Sequence, residues 1–348
     1  MEKLKNKKIL ITGHTGFKGS WLSYILEKQG AKIYGISLKP SKKNNLLFYQ
    51  LGLNKSCTNY FHDINELKEL KIIISKIKPE FIFHFAAQSL VSESYSDPIL
   101  TFKTNVIGTQ NILESIRNKT FVKTLIISTT DKVYENSNNQ RSFEEQDKLG
   151  GDDPYSASKA ASEILINSYS KSFNMDINIA TVRAGNVIGF GDIAKNRIIP
   201  DILKSIFNKK KLSIRQLESS RPWQNILDVI YTYIKLLVFI NQKKIKFSTW
   251  NLSPKSKNSY SVKKIIEIFE EISEKNIEFK VENKSKFKEK KYLSLNSDKS
   301  FSNLNLKDSI SLKDTLKQIY ELSVLFYENK NYKEELDRLI RKHITNEL

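Results

Sequence analysis

A tyrosine and a lysine one helical turn apart are the side chains of this sequence best suited to proton transfer. Tyr155 and Lys159 lie in the segment 153–163, and a spacing of i, i+4 places both on one face of a helix. A free tyrosine has a pKa of about 10, which is too high for a base at neutral pH. A cation one turn away favours the phenolate and therefore lowers that pKa. The alternative is an exposed pair without chemical function, since Tyr-x-x-x-Lys is common by chance.

Three glycines follow the first apolar run of the chain. Gly13, Gly16 and Gly19 have the spacing G-x-x-G-x-x-G between a strand-like segment, 8–12, and a segment with helical spacing, 18–29. Glycine lets the backbone approach a pyrophosphate, and the following helix offers N–H groups and a positive dipole end. The order strand, glycines, helix therefore predicts a dinucleotide site rather than the alternative, a tight turn without a ligand.

The choice between NAD and NADP stays open from the residues alone. An acidic residue at the end of the second strand usually binds the adenine ribose in such sites, but here Ser37 holds that place. No carboxylate is therefore predicted there to repel a 2′-phosphate. Asp63, which precedes Ile64, either binds the adenine amino group or is the N-cap of a helix that starts at residue 65.

Hydroxyl and carboxylate side chains follow another apolar run, residues 122–128, which is typical of a strand. Residues 128–132 are Ser-Thr-Thr-Asp-Lys. The carboxyl end of a parallel strand is where open α/β sheets bind ligands. Asp131 and Lys132 are more than hydride transfer alone needs. They indicate additional proton-transfer groups beside the Tyr–Lys pair.

The elements that position these residues alternate between short apolar runs and segments with helical spacing. The order β-α-β-α indicates an α/β fold with a parallel sheet. We predict a Rossmann-type doubly wound sheet that binds the cofactor over 1–182, to which part of 226–250 returns, and a smaller α/β substrate-binding lobe over 183–348. The charged stretch 284–291 is predicted to be a linker or a loop. Strands are predicted over 8–12, 32–37, 80–85, 122–128, 177–183 and 277–281, and helices over 18–29, 65–77, 98–118, 154–173, 200–208 and 226–240.

Composition restricts the possible classes of function. The 348 residues include 57 Lys+Arg and 38 Asp+Glu, a formal net charge of +19, but only 8 of the basic residues are Arg. Arginine is the preferred residue for phosphate and base contacts, so its scarcity argues against nucleic-acid binding. One cysteine and four scattered histidines argue against a disulfide framework and a metal site. No run approaches about 20 apolar residues, so we expect no membrane insertion and a cytoplasmic location.

Five segments carry a resemblance to a known family, and the match runs over nearly the whole length of the chain. The sequence resembles extended short-chain dehydrogenases/reductases of the nucleotide-sugar 4,6-dehydratase group, and most of all the CDP-glucose subgroup. In that subgroup a lysine stands where dTDP-glucose dehydratases have the glutamate of Thr-Asp-Glu. Here the triplet is Thr130-Asp131-Lys132. The five segments are 10–22, 84–91, 149–159, 183–192 and 221–225.

The resemblance implies a redox-neutral elimination of water from CDP-glucose, which gives the 4-keto-6-deoxy sugar. Tyr155, supported by Lys159, would remove the C4 hydroxyl proton while a hydride passes from C4 to NAD. Thr130 would hydrogen-bond that oxygen. Asp131 would protonate the oxygen that leaves C6, and the hydride would return to C6. Lys132 either removes the C5 proton or only orients Asp131 or the substrate, and both interpretations stay open.

The resemblance also implies binding residues, an assembly and a cellular role. Asn186, Arg197 and Arg221 would hold the hexose–pyrophosphate end of the substrate, because the guanidinium fork suits a diphosphate. For Arg221 the alternative is a structural ion pair. A homodimer would form through a four-helix bundle of the helices over 98–118 and 154–173, and the product would supply a deoxysugar for a surface polysaccharide. The implied cofactor-binding residues are Gly13, Thr15, Gly16, Phe17, Lys18, Gly19, Ser37, Asp63, Ile64, Ala86, Ala87, Gln88, Tyr155 and Lys159.

Other functions are possible on the same residues. A nucleotide-sugar 4-epimerase or reductase needs only the Tyr–Lys pair with a Ser or Thr, and has no use for Asp131 and Lys132. A non-catalytic, NAD-binding regulatory protein would keep the glycine-rich turn, but it has no need of the intact Tyr155, Lys159 and Thr130.

Overall fold

The structure, a computed structural model, describes residues 2–136, 141–194, 196–208, 210–255, 259–282, 292–307 and 310–347. The predicted linker or loop at 284–291 lies outside these residues. The chain forms two compact units. The first consists of Met1–Asn136, Glu144–Ala184 and Ile230–Leu252, and the second of Ser137–Phe143, Gly185–Val229 and Ser253–Leu348.

Short strands and helices alternate along the chain. The strands are β1 (Lys8–Thr12), β2 (Lys32–Ser37), β3 (Thr58–Phe61), β4 (Phe81–His84), β5 (Thr124–Ser128), β6 (Asn178–Ala184), β7 (Val187–Ile188), β8 (Leu212–Ile214), β9 (Ser220–Arg221), β10 (Gln224–Asn225), β11 (Phe247–Leu252), β12 (Tyr260–Ser261) and β13 (Phe279–Val281). The helices are α1 (Phe17–Lys28), α2 (Leu46–Gln50), α3 (Leu53–Ser56), α4 (Leu67–Ile77), α5 (Val91–Ser96), α6 (Pro98–Phe102), α7 (Gly108–Ile116), α8 (Pro154–Ser172), α9 (Ile198–Asn208), α10 (Ile226–Lys243), α11 (Val262–Ser273), α12 (Asp298–Leu304), α13 (Leu312–Tyr327) and α14 (Tyr332–Glu347).

A seven-stranded sheet forms the centre of the first unit. Its order is β11-β6-β5-β4-β1-β2-β3, and every neighbouring pair is parallel. Leu10 and Ile82 pack with α4 and α7 on one face, while Ile11 and Phe83, which alternate with them, are buried on the other face. Because both faces are covered, the central strands are continuous apolar runs. The predicted Rossmann-type doubly wound fold is confirmed.

The predicted helix over 98–118 is wrong in one respect. It is divided into α6, a π-helical turn at Lys103–Ile107, and α7. The carbonyl oxygen of Asn105 accepts hydrogen bonds from the hydroxyls of Thr109 and Ser162, at 2.7 and 2.8 Å. These side-chain bonds compete with the helical backbone pattern, which explains the wider turn. The apolar period continues through it, so the sequence pattern does not reveal it.

The helix predicted from residue 65 begins at Leu67, and its N-cap is Glu66. The Asp63 carboxylate instead accepts hydrogen bonds from the backbone and side-chain nitrogens of Asn65, at 2.9 and 3.0 Å. The interpretation of Asp63 as the N-cap of this helix is therefore wrong. Strand β3 was not predicted, because its side chains are half-buried or exposed and give no apolar run.

The second unit is built mainly from helices around a core of isoleucines. Ile202 of α9, Ile265 of α11 and Ile319 of α13 belong to one buried cluster. Pairs of short strands complete it: β7 with β10 and β8 with β13 run parallel, and β9 with β12 run antiparallel. The helix predicted over 200–208 is α9.

Among the described residues, no helix is long and apolar enough to cross a membrane.

Candidate active site

The carboxyl ends of β1 and β4 lie side by side, although the chain continues from them in opposite directions along the sheet. Such a switch point is where open α/β sheets bind ligands. Gly13, directly after β1, has a φ of 72°, and a Cβ there would lie 2.7 Å from the backbone nitrogen of Ala86 in the loop after β4. Only glycine allows this close approach of the two loops.

The turn after β1 ends in the exposed backbone of a helix N-terminus. Gly16 is the N-cap of α1 and supplies no side-chain cap, and Phe17 begins the helix. A Cβ on Gly19 would collide with the carbonyl oxygen of Gly13, while Thr15 is buried in the turn. Glycine backbone followed by helix N–H groups is the donor set that binds a pyrophosphate. The residues present therefore fit a dinucleotide.

The residues that we predicted to bind the adenosine half of the cofactor lie at the end of β2 or directly after β3. Ser37 ends β2, and its hydroxyl donates to the carbonyl oxygen of Leu38 at 3.0 Å. Asp63 follows β3, with the contacts to Asn65 described above. The side chain of Ile64 belongs to the core, and its carbonyl oxygen accepts from the Asn111 amide at 3.0 Å. Both the side chain and the carbonyl oxygen of Ile64 are therefore engaged within the protein.

The segment Ala86–Gln88 after β4 is held by hydrogen bonds on both sides of Ala87. The Ala86 N–H donates to the Thr12 hydroxyl at 3.2 Å, and the Gln88 N–H donates to the Asn105 side chain at 2.9 Å. The Gln88 side chain itself binds the backbone N–H of Leu90 at 2.6 Å. The backbone of this segment is therefore fixed before any ligand arrives.

Two lysines contact the same residue at the end of β5. The ammonium of Lys159, which is buried, donates to the carbonyl oxygen of Ser128 at 2.8 Å, and that of Lys18 to the Ser128 hydroxyl at 3.3 Å. The pKa of Lys159 is lowered from 10.5 to about 8, mainly by burial and in addition by the positive charge of Lys18, while Glu163 acts in the opposite direction.

Tyr155 is the second residue of α8 and has only 9% of its surface exposed. Because both Tyr155 and Lys159 are buried, the alternative of an exposed surface pair is wrong. A second tyrosine, Tyr233 of α10, donates its hydroxyl to that of Ser128 at 2.9 Å. Sequence reasoning missed Tyr233, since it lies in an apolar helix that gave no functional signal. Burial raises the pKa of Tyr233 above its ordinary value, so its proton is retained.

The turn after β5 brings three predicted catalytic residues together. The Thr130 hydroxyl donates to the Asp131 carboxylate at 3.0 Å, and the Lys132 ammonium lies 3.5 Å from the same oxygen. The Asp131 side chain is only 3% exposed, whereas that of Lys132 is 27% exposed. Asp131 is thus an oriented, nearly buried carboxylate with a hydroxyl and an ammonium beside it.

A buried ion pair is hydrogen-bonded to Thr129, the residue directly before this turn. Arg183 of β6 pairs with Glu163 of α8, and its guanidinium also donates to the Tyr134 hydroxyl at 2.8 Å. The Glu163 carboxylate accepts from the Thr129 hydroxyl at 2.6 Å. Sequence reasoning did not single out these residues. The available signal was a glutamate four residues after Lys159, on the same helix face.

The three predicted substrate residues lie in the second unit. Arg197 forms an ion pair with Asp192 at 2.9 Å, and its side chain is 38% exposed. Arg221 is buried, and its guanidinium donates to the carbonyl oxygen of Ser220 at 2.7 Å. The carbonyl oxygen of Asn186 accepts from the backbone of Gln224 at 2.9 Å, and its side chain is half-buried.

Comparisons with known proteins agree with this architecture. A CDP-glucose 4,6-dehydratase of Salmonella typhimurium is 39% identical over 271 residues, covering 76% of this chain and 75% of that protein. A dTDP-glucose 4,6-dehydratase of Haemophilus influenzae is 29% identical, covering 59% and 63%. A crystal structure of UDP-glucose-4-epimerase from Stenotrophomonas maltophila, with bound NAD, has the same fold, with a TM-score of 0.81, 19% identity and coverage of 93% and 99%. The family model for GDP-mannose 4,6 dehydratase matches residues 10–319, and the chain therefore belongs to that family.

Proposed function

We propose that this protein is a CDP-glucose 4,6-dehydratase, which converts CDP-glucose to CDP-4-keto-6-deoxyglucose and water. The observation that carries the proposal is the turn Thr130-Asp131-Lys132, in which a nearly buried carboxylate is oriented by a hydroxyl at 3.0 Å and an ammonium at 3.5 Å. A hydro-lyase needs such an acid beside its redox site. The relative from Salmonella typhimurium carries the same activity in its name and supports the choice of substrate.

The cofactor in this proposal is NAD, bound by the glycine-rich turn, the loop after β4 and the ends of β2 and β3. When bound, it supplies the acceptor for the C4 hydride and the donor that returns this hydride to C6. The protein contributes the binding groups: the backbone of Gly13–Gly19, the Ser37 hydroxyl and the backbone of Ala86–Gln88. Lys18 and Lys159 add positive charge close to Ser128.

Tyr155 removes the proton of the C4 hydroxyl in the first step, and the positive charge of Lys159, one turn along α8, favours the phenolate that does so. The Thr130 hydroxyl hydrogen-bonds the same C4 oxygen. Oxidation at C4 makes the C5 proton acidic, which prepares the elimination.

Elimination breaks the C5–H and C6–O bonds: a base accepts the C5 proton, and Asp131, in its protonated form, delivers a proton to the departing C6 oxygen, so that water leaves. After the hydride has returned to C6, a proton returns to C5. Asp131 suits this role because burial beside Thr130 fixes its direction. Lys132 either accepts the C5 proton or orients Asp131. Its 3.5 Å contact with the carboxylate supports the orienting role.

The nucleotide sugar is bound by Asn186, Arg197 and Arg221. The guanidinium groups of Arg197 and Arg221 suit a diphosphate, which accepts two parallel hydrogen bonds from one arginine. In this arrangement residues 1–182, with part of 226–250, bind the cofactor, and residues 183–348 bind mainly the nucleotide sugar. When the substrate binds, the Arg197 guanidinium either leaves Asp192 and binds a phosphate, or contacts both groups.

We propose further that the protein is a homodimer, assembled through a four-helix bundle of the helices over 98–118 and 154–173 of each subunit. Large apolar side chains on these helices support the proposal: Ile99 is 80% exposed, Ile107 is 44% exposed and Ile164 of α8 is 61% exposed. A second copy of the same helices would bury these side chains, and large exposed apolar patches generally mark such interaction sites. Light scattering that gives a monomer mass would contradict this assembly.

The cellular role we infer is cytoplasmic production of a deoxysugar nucleotide for a surface polysaccharide. A nucleotide-sugar 4-epimerase is the second candidate, because the fold is shared with UDP-glucose-4-epimerase. An epimerase differs from a dehydratase in that no oxygen leaves C6, so it needs no acid such as Asp131.

The experiment that tests the function is turnover of CDP-glucose with NAD, followed by the alkali-induced absorbance of a 4-keto-6-deoxy sugar. The dTDP-, UDP- and GDP-sugars run in parallel, and a Tyr155→Phe variant serves as the inactive control that still binds NAD. Product from CDP-glucose alone establishes reaction and substrate. Product from another nucleotide sugar keeps the reaction and replaces the substrate. No product from any sugar, despite bound NAD, favours the epimerase or regulatory alternatives.

A further inference from the structure

A buried histidine of the first unit is hydrogen-bonded to two threonines, each on a different secondary-structure element. His84, the last residue of β4, is 2% exposed. Its Nδ1 lies 2.7 Å from the Thr12 hydroxyl at the end of β1, and its Nε2 lies 3.0 Å from the Thr109 hydroxyl of α7. The proposed mechanism gives His84 no role, although it lies at the switch point between β1 and β4.

The direction of each hydrogen bond follows from counting protons. The Thr109 hydroxyl donates its only proton to the carbonyl oxygen of Asn105 at 2.7 Å, because a carbonyl can only accept. His84 Nε2 must therefore carry the proton in its contact with Thr109. A neutral imidazole has one N–H, so its Nδ1 accepts from the Thr12 hydroxyl, whose oxygen in turn accepts from the Ala86 N–H at 3.2 Å.

The result is a chain of hydrogen bonds with one direction, from Ala86 through Thr12, His84 and Thr109 to Asn105. A protonated His84 would break it, because both ring nitrogens would donate and the Thr12 hydroxyl proton would lose its acceptor. Burial keeps His84 neutral, lowering its pKa to about 3, and the charge of Lys159 adds to the effect. His84 is thus unsuited to acid–base chemistry at any working pH.

The chain continues from Asn105 into the catalytic helix. The Asn105 side-chain amide donates to the Ser158 hydroxyl of α8 at 2.8 Å, and its side-chain oxygen accepts the Gln88 N–H at 2.9 Å. Ser158 lies between Tyr155 and Lys159 in sequence, and its hydroxyl donates to the carbonyl oxygen of Tyr155 at 2.7 Å. One set of bonds therefore holds both ends of the loop after β4 and the first turns of α8.

We propose that His84 is a positioning residue, which keeps the loop Ala86–Gln88 in register with Tyr155 and Lys159 through Thr12, Thr109 and Asn105. The inference rests on the proposed function in so far as that loop binds NAD. It assigns no proton transfer to His84. It predicts that loss of either ring contact disturbs cofactor binding and the hydride step together.

The test compares His84→Leu, which removes both ring contacts, with His84→Gln and His84→Asn. A glutamine amide can replace Nε2 as the donor to Thr109, and an asparagine oxygen can replace Nδ1 as the acceptor from Thr12. Thr109→Val removes the contact between His84 Nε2 and the Thr109 hydroxyl while leaving the histidine in place. The matched control is Thr124→Val, since Thr124 is equally buried but begins β5, at the opposite end of that strand from the site.

NAD affinity is measured by titration without substrate, kcat with the nucleotide sugar that the turnover experiment identifies, and folding by circular dichroism and thermal unfolding. We expect His84→Leu and Thr109→Val each to weaken NAD binding roughly tenfold and to lower kcat, because buried polar partners are left unpaired. His84→Gln and His84→Asn should each restore part of both, and Thr124→Val should change only thermal stability. The double variant His84→Leu/Thr109→Val should bind NAD as well as the weaker single variant and have a similar kcat, since both substitutions break the same chain of hydrogen bonds.

The pH profile separates positioning from chemistry. The ratio of kcat/KM between the parent and His84→Gln should stay constant from about pH 6 to about pH 9, because a neutral His84 does not titrate there. A ratio that changes with pH overturns the inference, and so does a folded His84→Leu or Thr109→Val variant with the parent's NAD affinity and kcat. If His84→Leu does not fold, Thr109→Val and His84→Gln decide the question. A parent protein that binds no NAD contradicts the proposed function instead, which keeps the two failures distinct.

Discussion

The ammonium of Lys159 lies 2.8 Å from the carbonyl oxygen of Ser128. This contact joins α8, which carries Tyr155, to the end of β5, from which the turn Thr130-Asp131-Lys132 begins. It places a cation in an environment that disfavours its charge, and burial lowers its pKa to about 8. The same residue is therefore a source of instability in the folded chain and a requirement of the proposed chemistry.

Replacement of this cation by an apolar side chain should stabilise the protein and inactivate it. We expect Lys159→Met to raise the free energy of unfolding at neutral pH by about 1–3 kcal/mol, since a lowering of the pKa from 10.5 to about 8 costs about 3 kcal/mol, from which the lost hydrogen bond is subtracted. The kcat should fall by roughly 100-fold or more.

The pH dependence of this difference is a second readout of the same variant. Between pH values of about 8 and 10.5 the unfolded chain binds the extra proton, so the stability of the parent rises with pH and the advantage of Lys159→Met shrinks. Urea unfolding of both proteins at several pH values measures it. An advantage that does not change with pH would show that the buried charge is not its cause.

Activity should decline on the alkaline side as Lys159 loses its proton, with a midpoint close to pH 8. Removing the like charge of Lys18 should move this midpoint upward, because repulsion between the two ammonium groups disfavours the charged form of Lys159. The measurement is the pH profile of kcat/KM for the parent and for Lys18→Met at saturating NAD. Lys28→Met, at the far end of α1, is the control and should leave the midpoint unchanged. A midpoint that Lys18→Met does not move would remove Lys18 from the electrostatics of the site.

Loss of the acid at position 131 should slow elimination more than oxidation at C4. In Asp131→Asn the amide keeps the shape and the contact with Thr130, but it has no proton to deliver to the leaving C6 oxygen. We expect kcat to fall by about 100-fold or more, with accumulation of reduced nicotinamide absorbance in a single turnover. Equal slowing of both steps would argue against the acid role and for a general disturbance of the site.

The role of Lys132 can be decided by exchange at C5. If Lys132 only orients Asp131 through their 3.5 Å contact, Lys132→Glu should lower kcat yet leave exchange of the C5 proton with solvent deuterium in place. Complete loss of that exchange, with C4 oxidation retained, would identify Lys132 as the base. Lys132→Met, which has neither charge, distinguishes a missing ammonium from an added carboxylate.

Local patterns predicted the parts of the site that one segment contains, and contacts between distant segments supplied the rest. The spacing of Tyr155 and Lys159 follows from the helical period, and the turn at 130–132 from the end of a strand. Tyr233 reaches Ser128 across 105 residues, a contact that no local spacing encodes. The π-helical turn at Lys103–Ile107 was also missed, because side-chain bonds to the Asn105 carbonyl produce it without disturbing the apolar period.

The buried pair Arg183–Glu163 is the other long-range contact, and it yields the last prediction. The two side chains are 4% and 3% exposed, so removing one leaves the other charged and desolvated. We expect Arg183→Met to lower the free energy of unfolding by about 3–5 kcal/mol. Adding Glu163→Gln should recover part of this loss, because the neutral amide no longer carries a buried charge and still accepts from Thr129. The pair Arg338–Glu335, in which the arginine is exposed and the glutamate half-buried, provides the control: Arg338→Met should cost about 1 kcal/mol or less in the same urea titration. If the two arginine variants lost equal stability, the buried pair would not be what holds α8 against β6.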